Sequence, residues 1–172
     1  MNYIYSFTIS LFIKNLNALK HILEKSEEYA KEKNIDPNTW LNERLAPDMF
    51  PFVKQVQVVC DNAKGAAARL AEIEIPKYDD NEKTFGELKA RIDKTIEFLE
   101  TFSEESFKNA ADAKVTLPYF PGKYLTGRDY ACEYAVPNFL FHMVTAYAIL
   151  RKNGVPLGKV DFINGLPLKD IS

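Results

Sequence analysis

Two cysteines, two histidines and one tryptophan are all that 172 residues hold of those types, and the scarcity excludes a good deal. Cys60 and Cys132 make no CxxC pair, so a zinc ribbon, a thioredoxin-like centre and a disulfide framework have no footing. Both are expected as reduced, packed thiols. A basic stripe is also missing. The 22 Lys and Arg are scattered among 24 Asp and Glu, for a net charge of −2. That is not a nucleic-acid footprint. No apolar run is long enough to span a bilayer. The most apolar stretch, MNYIYSFTISLFIKNL, is closed by Lys14 and has neither a basic start nor a small-residue cleavage site. It reads as the opening turns of a core helix. No membrane partner is expected, and cytoplasm is the expected compartment. Repeats and low-complexity segments are absent. With 47% hydrophobic and 27% charged residues, residues 1–172 read as one ordinary domain, which at this size buries roughly 70% of its unfolded surface.

Helical periodicity accounts for most of the chain. Tyr5, Ile9, Phe12, Leu16, Leu19 and Leu23 fall on one face of a first helix reaching Lys33. The turn Asn34-Ile35-Asp36-Pro37 is expected to stop it, because proline disfavours helix in the residue before it. A short helical stretch is expected around Trp40 and Leu41. A second helix is expected to begin near Asp48 to Pro51, with Phe52, Val56, Val59, Ala63, Ala66 and Leu70 inward. Its Gly65-Ala66-Ala67-Ala68 run would let a neighbouring helix approach closely, and Gly65, which costs about 1 kcal/mol against alanine, implies a packing reason. Thr84-Phe85-Gly86-Glu87 reads as a capping box for a third helix carrying Phe85, Leu88, Ile92, Leu99 and Phe102. Asn109 to Lys123 is irregular, with Val115-Thr116-Leu117 as a possible short strand. Thr126 to Asp129 can cap a helical run through Tyr134, and Pro137 must kink or restart it. The last helix carries Phe139, Met143, Ala146 and Leu150 inward and ends at Gly154. The tail from Val155, with Val160, Phe162, Ile163 and Leu166, is expected to pack back over the bundle. The fold class is all-α: a four-helix bundle with a short irregular or hairpin insertion before the last helix.

Several stretches carry a resemblance. Arg44-Leu45-Ala46-Pro47-Asp48-Met49-Phe50-Pro51, Ala63-Lys64-Gly65-Ala66-Ala67-Ala68-Arg69-Leu70, Pro137-Asn138-Phe139 with His142, and Gly154-Val155-Pro156-Leu157-Gly158-Lys159 before Asp161-Phe162 resemble the DinB/YfiT-like four-helix bundles. The likeness is to an uncharacterised branch known as a domain of unknown function. It implies a DinB-like bundle and a homodimer. The wider superfamily often binds a divalent metal through one histidine on the second helix and two, a turn apart, on the fourth. Here Ala146 stands four residues after His142, the second helix has no histidine, and His21 is on the first. The resemblance therefore implies no metal or other cofactor for this chain.

A reduced site is conceivable. Asn138 and His142 are four apart on one helix face, and Asp48 and Gln55 are seven apart. If those faces meet, a carboxylate, two amides and an imidazole share a cleft. Tyr147, with Tyr130 and Tyr134, is a further candidate for lining it. Such a cleft could hold a weak metal, with His142 as its candidate ligand, take a small polar ligand, or support general-base chemistry by His142, oriented by Asp48. The plainer readings stand beside these: a satisfied core histidine, an acid in a first helical turn at Asp48, a helix cap at Asn138, and core aromatics. The favoured function is a small-ligand-binding or accessory module. The alternative is an enzyme with a remodelled DinB-type site centred on His142, metal-dependent transferase- or hydrolase-like.

Overall fold

A computed structural model of the protein describes residues 2–171. Its first rod is continuous: α1 (Tyr3–Tyr5), a π-helical stretch (Ser6–Ser10) and α2 (Leu11–Lys33) join through residues in right-handed helical conformation. The Asn2 side chain caps it by accepting from the Ile4 and Tyr5 N–H groups. Ile9, Phe12, Leu16, Leu19 and Leu23 are fully buried, and Tyr5 packs against them. The rod stops earlier than Pro37 demands. Asn34 turns left-handed at φ 55°, and the Ile35 N–H reaches back to the Ala30 carbonyl at 2.8 Å, the closure of a Schellman motif. Pro37 instead opens a 3-10 turn (Pro37–Asn42) capped by Asp36, which buries Trp40 and Leu41.

The helix α3 (Phe52–Leu70) starts just past the late end of the expected Asp48-to-Pro51 window. Residues 43–51 run as turns, and the Phe52 N–H is taken by the Glu43 carbonyl at 2.8 Å. Its apolar stripe is buried throughout. Gly65 does have a packing reason, but not a neighbouring helix: a Cβ there would stand 2.6 Å from a guanidinium nitrogen of Arg69. In α4 (Phe85–Glu100) the Thr84 hydroxyl accepts from the Glu87 N–H. Glu87 reaches past Thr84 to the Lys83 N–H at 2.6 Å, so the reciprocal half of the box is displaced by one residue.

A 3-10 turn (Glu104–Phe107) follows, then an antiparallel pair, β1 (Lys114–Val115) and β2 (Leu125–Thr126), in the register Lys114 with Thr126 and Val115 with Leu125. This is the hairpin insertion. It is clamped to the next helix at Gly127, where an added Cβ would fall 1.8 Å from the Ala110 carbonyl oxygen. Thr126 caps α5 (Gly127–Asp129), which continues through a second π-helical stretch (Tyr130–Ala135) into α6 (Val136–Lys152). Pro137 does not restart this rod, because helical conformation runs on from the π stretch through Val136. Phe139, Met143, Ala146 and Leu150 are buried, and Gly154 ends the rod at φ +86°.

The tail packs back as α7 (Lys159–Ile163) on α2, with its faces opposite to the hydrophobic reading. Val160 is 76% exposed, while Asp161 is turned inward. The Asp161 carboxylate binds Lys25 at 2.8 Å, His21 at 3.4 Å and the Gly158 N–H at 2.7 Å. Phe162 meets the Tyr147 ring edge-on. The thiols differ: Cys60 is buried and Cys132 exposed, so only the first is packed.

The segment between α3 and α4 is tied down by charge. The buried Arg91 guanidinium binds Asp61 at 2.8 Å, Asp80 at 2.9 Å and Glu82 at 2.8 Å. Tyr78 receives Lys64 and Lys94 over its ring. Arg91→Leu leaves three converging carboxylates without their shared cation, and urea unfolding at neutral pH should show a loss of about 3 kcal/mol. Burial alone would raise Asp80 and Glu82. Hydrogen bonds from Lys54 to Asp80, and from Arg91 and Gln57 to Glu82, outweigh it and hold both below the usual carboxylate range. Folded values below unfolded ones mean stability that is present above about pH 4 and lost as pH falls through the folded values. The urea midpoint should drop across that window, and less steeply in Arg91→Leu.

Candidate functional site

Along α3, Gln55, Asn62 and Arg69 are seven apart, two turns each, and so share one face. Across from them Tyr130, Tyr134, Asn138 and His142 repeat every four residues through the π stretch and α6. α3 and α6 pack directly against each other. Where these two files meet, a cleft of about 430 Å³ opens, with Asn62, Arg69, Tyr130, Tyr134, Asn138 and His142 in its lining. Leu117 and Tyr119 of the hairpin insertion, with Phe50, complete the wall.

Gln55 fixes the state of His142. Its Nε2 donates to the Phe50 carbonyl at 3.0 Å, and a carbonyl oxygen can only accept. The other edge of the carboxamide, Oε1, therefore faces His142 Nδ1 at 2.7 Å. An acceptor there requires the proton on Nδ1, which leaves the lone pair on Nε2. Burial lowers the pKa of His142 from its ordinary 6.5, so the neutral ring prevails at neutral pH. Phe50 stacks on the imidazole with ring centroids 6.4 Å apart and planes 20° apart. His142 Nε2 has no protein partner among the described residues and remains available on the cleft side.

Two more polar groups are left open. Asn62 Oδ1 is buried and without a hydrogen-bond partner, a state that native structures rarely leave unfilled by water or ligand. Arg69 donates to the Tyr130 hydroxyl at 3.3 Å and lies 6.0 Å from that ring's centroid. No carboxylate pairs with it among the described residues. The other charges at the cleft are committed: Lys54 to Asp80 at 2.6 Å, and Asp61 to Arg91 and to Lys64.

The residues expected to gather do so only in part. His142 and Asn138 share the cleft, and Gln55 supports His142 from behind. Asn138 is not a cap, because the helix runs straight through it. Asp48 does not join. It is exposed in the turn before α3, because the helix begins only at Phe52, and so shares no helix face with Gln55. The orienting partner of His142 is the Gln55 amide instead. Tyr147 is directed to the tail, its hydroxyl donating to the Leu157 carbonyl at 3.4 Å. Asn62 and Arg69 escaped the sequence reading. The seven-residue step that linked Asp48 to Gln55, taken forward instead, reaches both. Cys60 is no nucleophile here: burial pushes its thiol up to about 12.

The divalent metal of the wider DinB superfamily does not fit. α3 contributes no imidazole, Ala146 stands a turn after His142, and Nδ1 of that ring is spent on Gln55. Among the described residues no three His, Cys, Asp or Glu converge as ligands.

Residues 4–163 match the family model described as a domain of unknown function, DUF1993. A crystal structure of a DinB family member protein from Shewanella denitrificans is 45% identical and superposes with a TM-score of 0.94, over 97% of this chain and 95% of that one. Comparison with curated proteins gives no match.

An NMR titration of the His142 ring should give a midpoint below 6.5, with the proton on Nδ1 in the neutral form. A depressed folded value makes stability rise with pH: His142's contribution is complete above about 6.5 and is lost as pH falls from there through the folded value. Gln55→Leu strands the Nδ1 proton and should cost about 1–2 kcal/mol. A midpoint at or above 6.5 would contradict the buried, neutral assignment.

Proposed function

The chain belongs to the DUF1993 family, and we propose that it is a small-molecule-binding helical bundle whose binding site is the cleft between α3 and α6. The observation that carries this reading is the unpaired His142 Nε2 in that cleft. It wants a donor, the Asn62 amide with its buried, unpartnered Oδ1 lines the same space, and the surrounding walls are aromatic and aliphatic in a volume suited to a small organic molecule. A cavity with a few unpaired polar atoms in an apolar lining rewards a ligand that supplies the missing bonds. The reading involves no metal and no cofactor.

A second reading is supported by the locked imidazole. A neutral histidine with one tautomer fixed by a buried amide is what a general base requires, so a reaction on the bound molecule, with Nε2 taking a proton, is the enzymatic alternative. A second copy of this chain, which rests on the DinB-like likeness, and a cytoplasmic setting belong to the same proposal. Among the described residues no helix is long and apolar enough to cross a membrane, and the charge of −2 gives nucleic acid no basic face.

The test uses 1-naphthol, a flat ring with one hydroxyl donor, titrated into the labelled full chain. Amide shifts are expected on α3 and α6 around Asn62, Asn138 and His142. Asn62→Leu, which removes the amide lining the cleft, should weaken binding about tenfold with the melting temperature kept. Shifts gathered at the separate cavity beside Phe107 and Cys132, or an unchanged affinity in Asn62→Leu, would refute the reading.

A further inference from the structure

Two arginines, Arg91 buried on α4 and Arg69 half-buried on α3, are treated in opposite ways. Arg91 is neutralised by three carboxylates. Arg69 has only a tyrosine hydroxyl and a tyrosine face. Arg69 is half-buried and has no carboxylate, and arginine's fixed fork suits carboxylate and phosphate. Its seat is also shaped. The bare Cα of Gly65 leaves the space in which the guanidinium lies, since a Cβ would approach it to 2.6 Å. Glycine in the middle of a buried helix costs about 1 kcal/mol against alanine, and here the space it opens is filled by Arg69.

Arg69 also lines a second cavity, of about 690 Å³, which shares Arg69 and Leu117 with the first and is walled by the hairpin insertion. Lys114 and Lys123 line that cavity too, with Glu72 as its carboxylate. Lys114 leans over the Tyr124 ring. Lys123 and Glu72 have no side-chain partner among the described residues, and Glu72 forms no ion pair with Arg69. The balance at this end of the groove is three cations to one carboxylate. At the other end the open atom is an acceptor, His142 Nε2, beside the Asn62 amide. Asn62 lies seven residues from Arg69, about 10 Å along the helix.

We propose that the cleft selects a ring-bearing organic anion, a carboxylate or a phosphate, whose charge is bound by Arg69 at the hairpin end while a hydroxyl or amine on the same molecule donates to His142. This rests on the cleft being the binding site and adds the chemical class of its ligand. The polarity runs along the groove: anion under the hairpin, donor group toward α6, and the ring between Tyr134, Val58 and Leu117.

Three probes with one ring system decide it in the full chain: 1-naphthol, 1-naphthoate and 1-naphthyl phosphate, titrated at neutral pH and low salt. At least one anion is expected to bind ten times more tightly than the naphthol, and which of the two wins identifies the headgroup. The preference should shrink as salt is added. Arg69→Gln should bring the ratio to within twofold of unity while naphthol still binds. Gly65→Ala keeps the charge but moves it, and should lower the ratio while leaving helix content intact. It covers the case in which Arg69→Gln fails to fold, and the wild-type ratio needs no variant at all. Equal affinity for all three probes at the cleft overturns the anion proposal and leaves the binding site standing. An anion preference that survives both variants also overturns it. Binding of none of them at the cleft overturns both.

Discussion

The packing of α3 against neighbours on nearly every side constrains the rest of the molecule. It touches α4, α6, the first rod and the 3-10 turn after it, and most of its residues are buried. A helix so enclosed must be narrow, and the Gly65-Ala66-Ala67-Ala68 run makes it so. It must also account for every polar side chain it carries inward, because an unpaired buried group costs about 1–3 kcal/mol. Gln57 is taken by Glu82, Asp61 by Arg91, and Lys64 by Asp61 and the Pro76 carbonyl. Through these bonds one face of α3 organises the segment leading into α4.

The opposite face follows the same rule with a different result. Gln55 is satisfied by His142 and the Phe50 carbonyl, but Asn62 and Arg69, one and two heptads on, are not closed off in the same way. The contrast between Arg91 and Arg69 is a contrast between structure and binding. A guanidinium with three carboxylates holds two segments together. One with a tyrosine and an open cavity retains most of its donor capacity for something else. The π stretch before α6 contributes here, since it carries Tyr130 and Tyr134 on the cleft side.

His142 shows how a single hydrogen bond sets chemical state. In isolation its two nitrogens are near equivalents. A carboxamide anchored by a backbone carbonyl selects one tautomer, and burial keeps the ring neutral. The same amide replaces the carboxylate that Asp48 was expected to supply. An amide orients without adding charge, so it does not raise the basicity of the ring as a carboxylate would.

The sequence determined by itself whatever depends on local periodicity and local turn chemistry. The four long helices, their inward stripes, the Thr84 and Thr126 caps, the Gly154 stop and the DinB-like identity of the bundle were all legible, because a helix face repeats every three or four residues. Half of the cleft was legible for the same reason: Asn138 and His142 share a face wherever that helix packs. Only the tertiary structure could decide what lies opposite. Whether α3 begins at Asp48 or Phe52 depends on which carbonyl takes the Phe52 N–H, and that choice removes Asp48 from the site. Asp161 turns in and Val160 out because Lys25 and His21, more than a hundred residues away in the chain, supply the countercharge. Asn62 and Arg69 became candidates only when the fold left the Asn62 oxygen without a partner and Arg69 without a carboxylate, and a missing partner is a property of three-dimensional packing that no spacing in the sequence encodes.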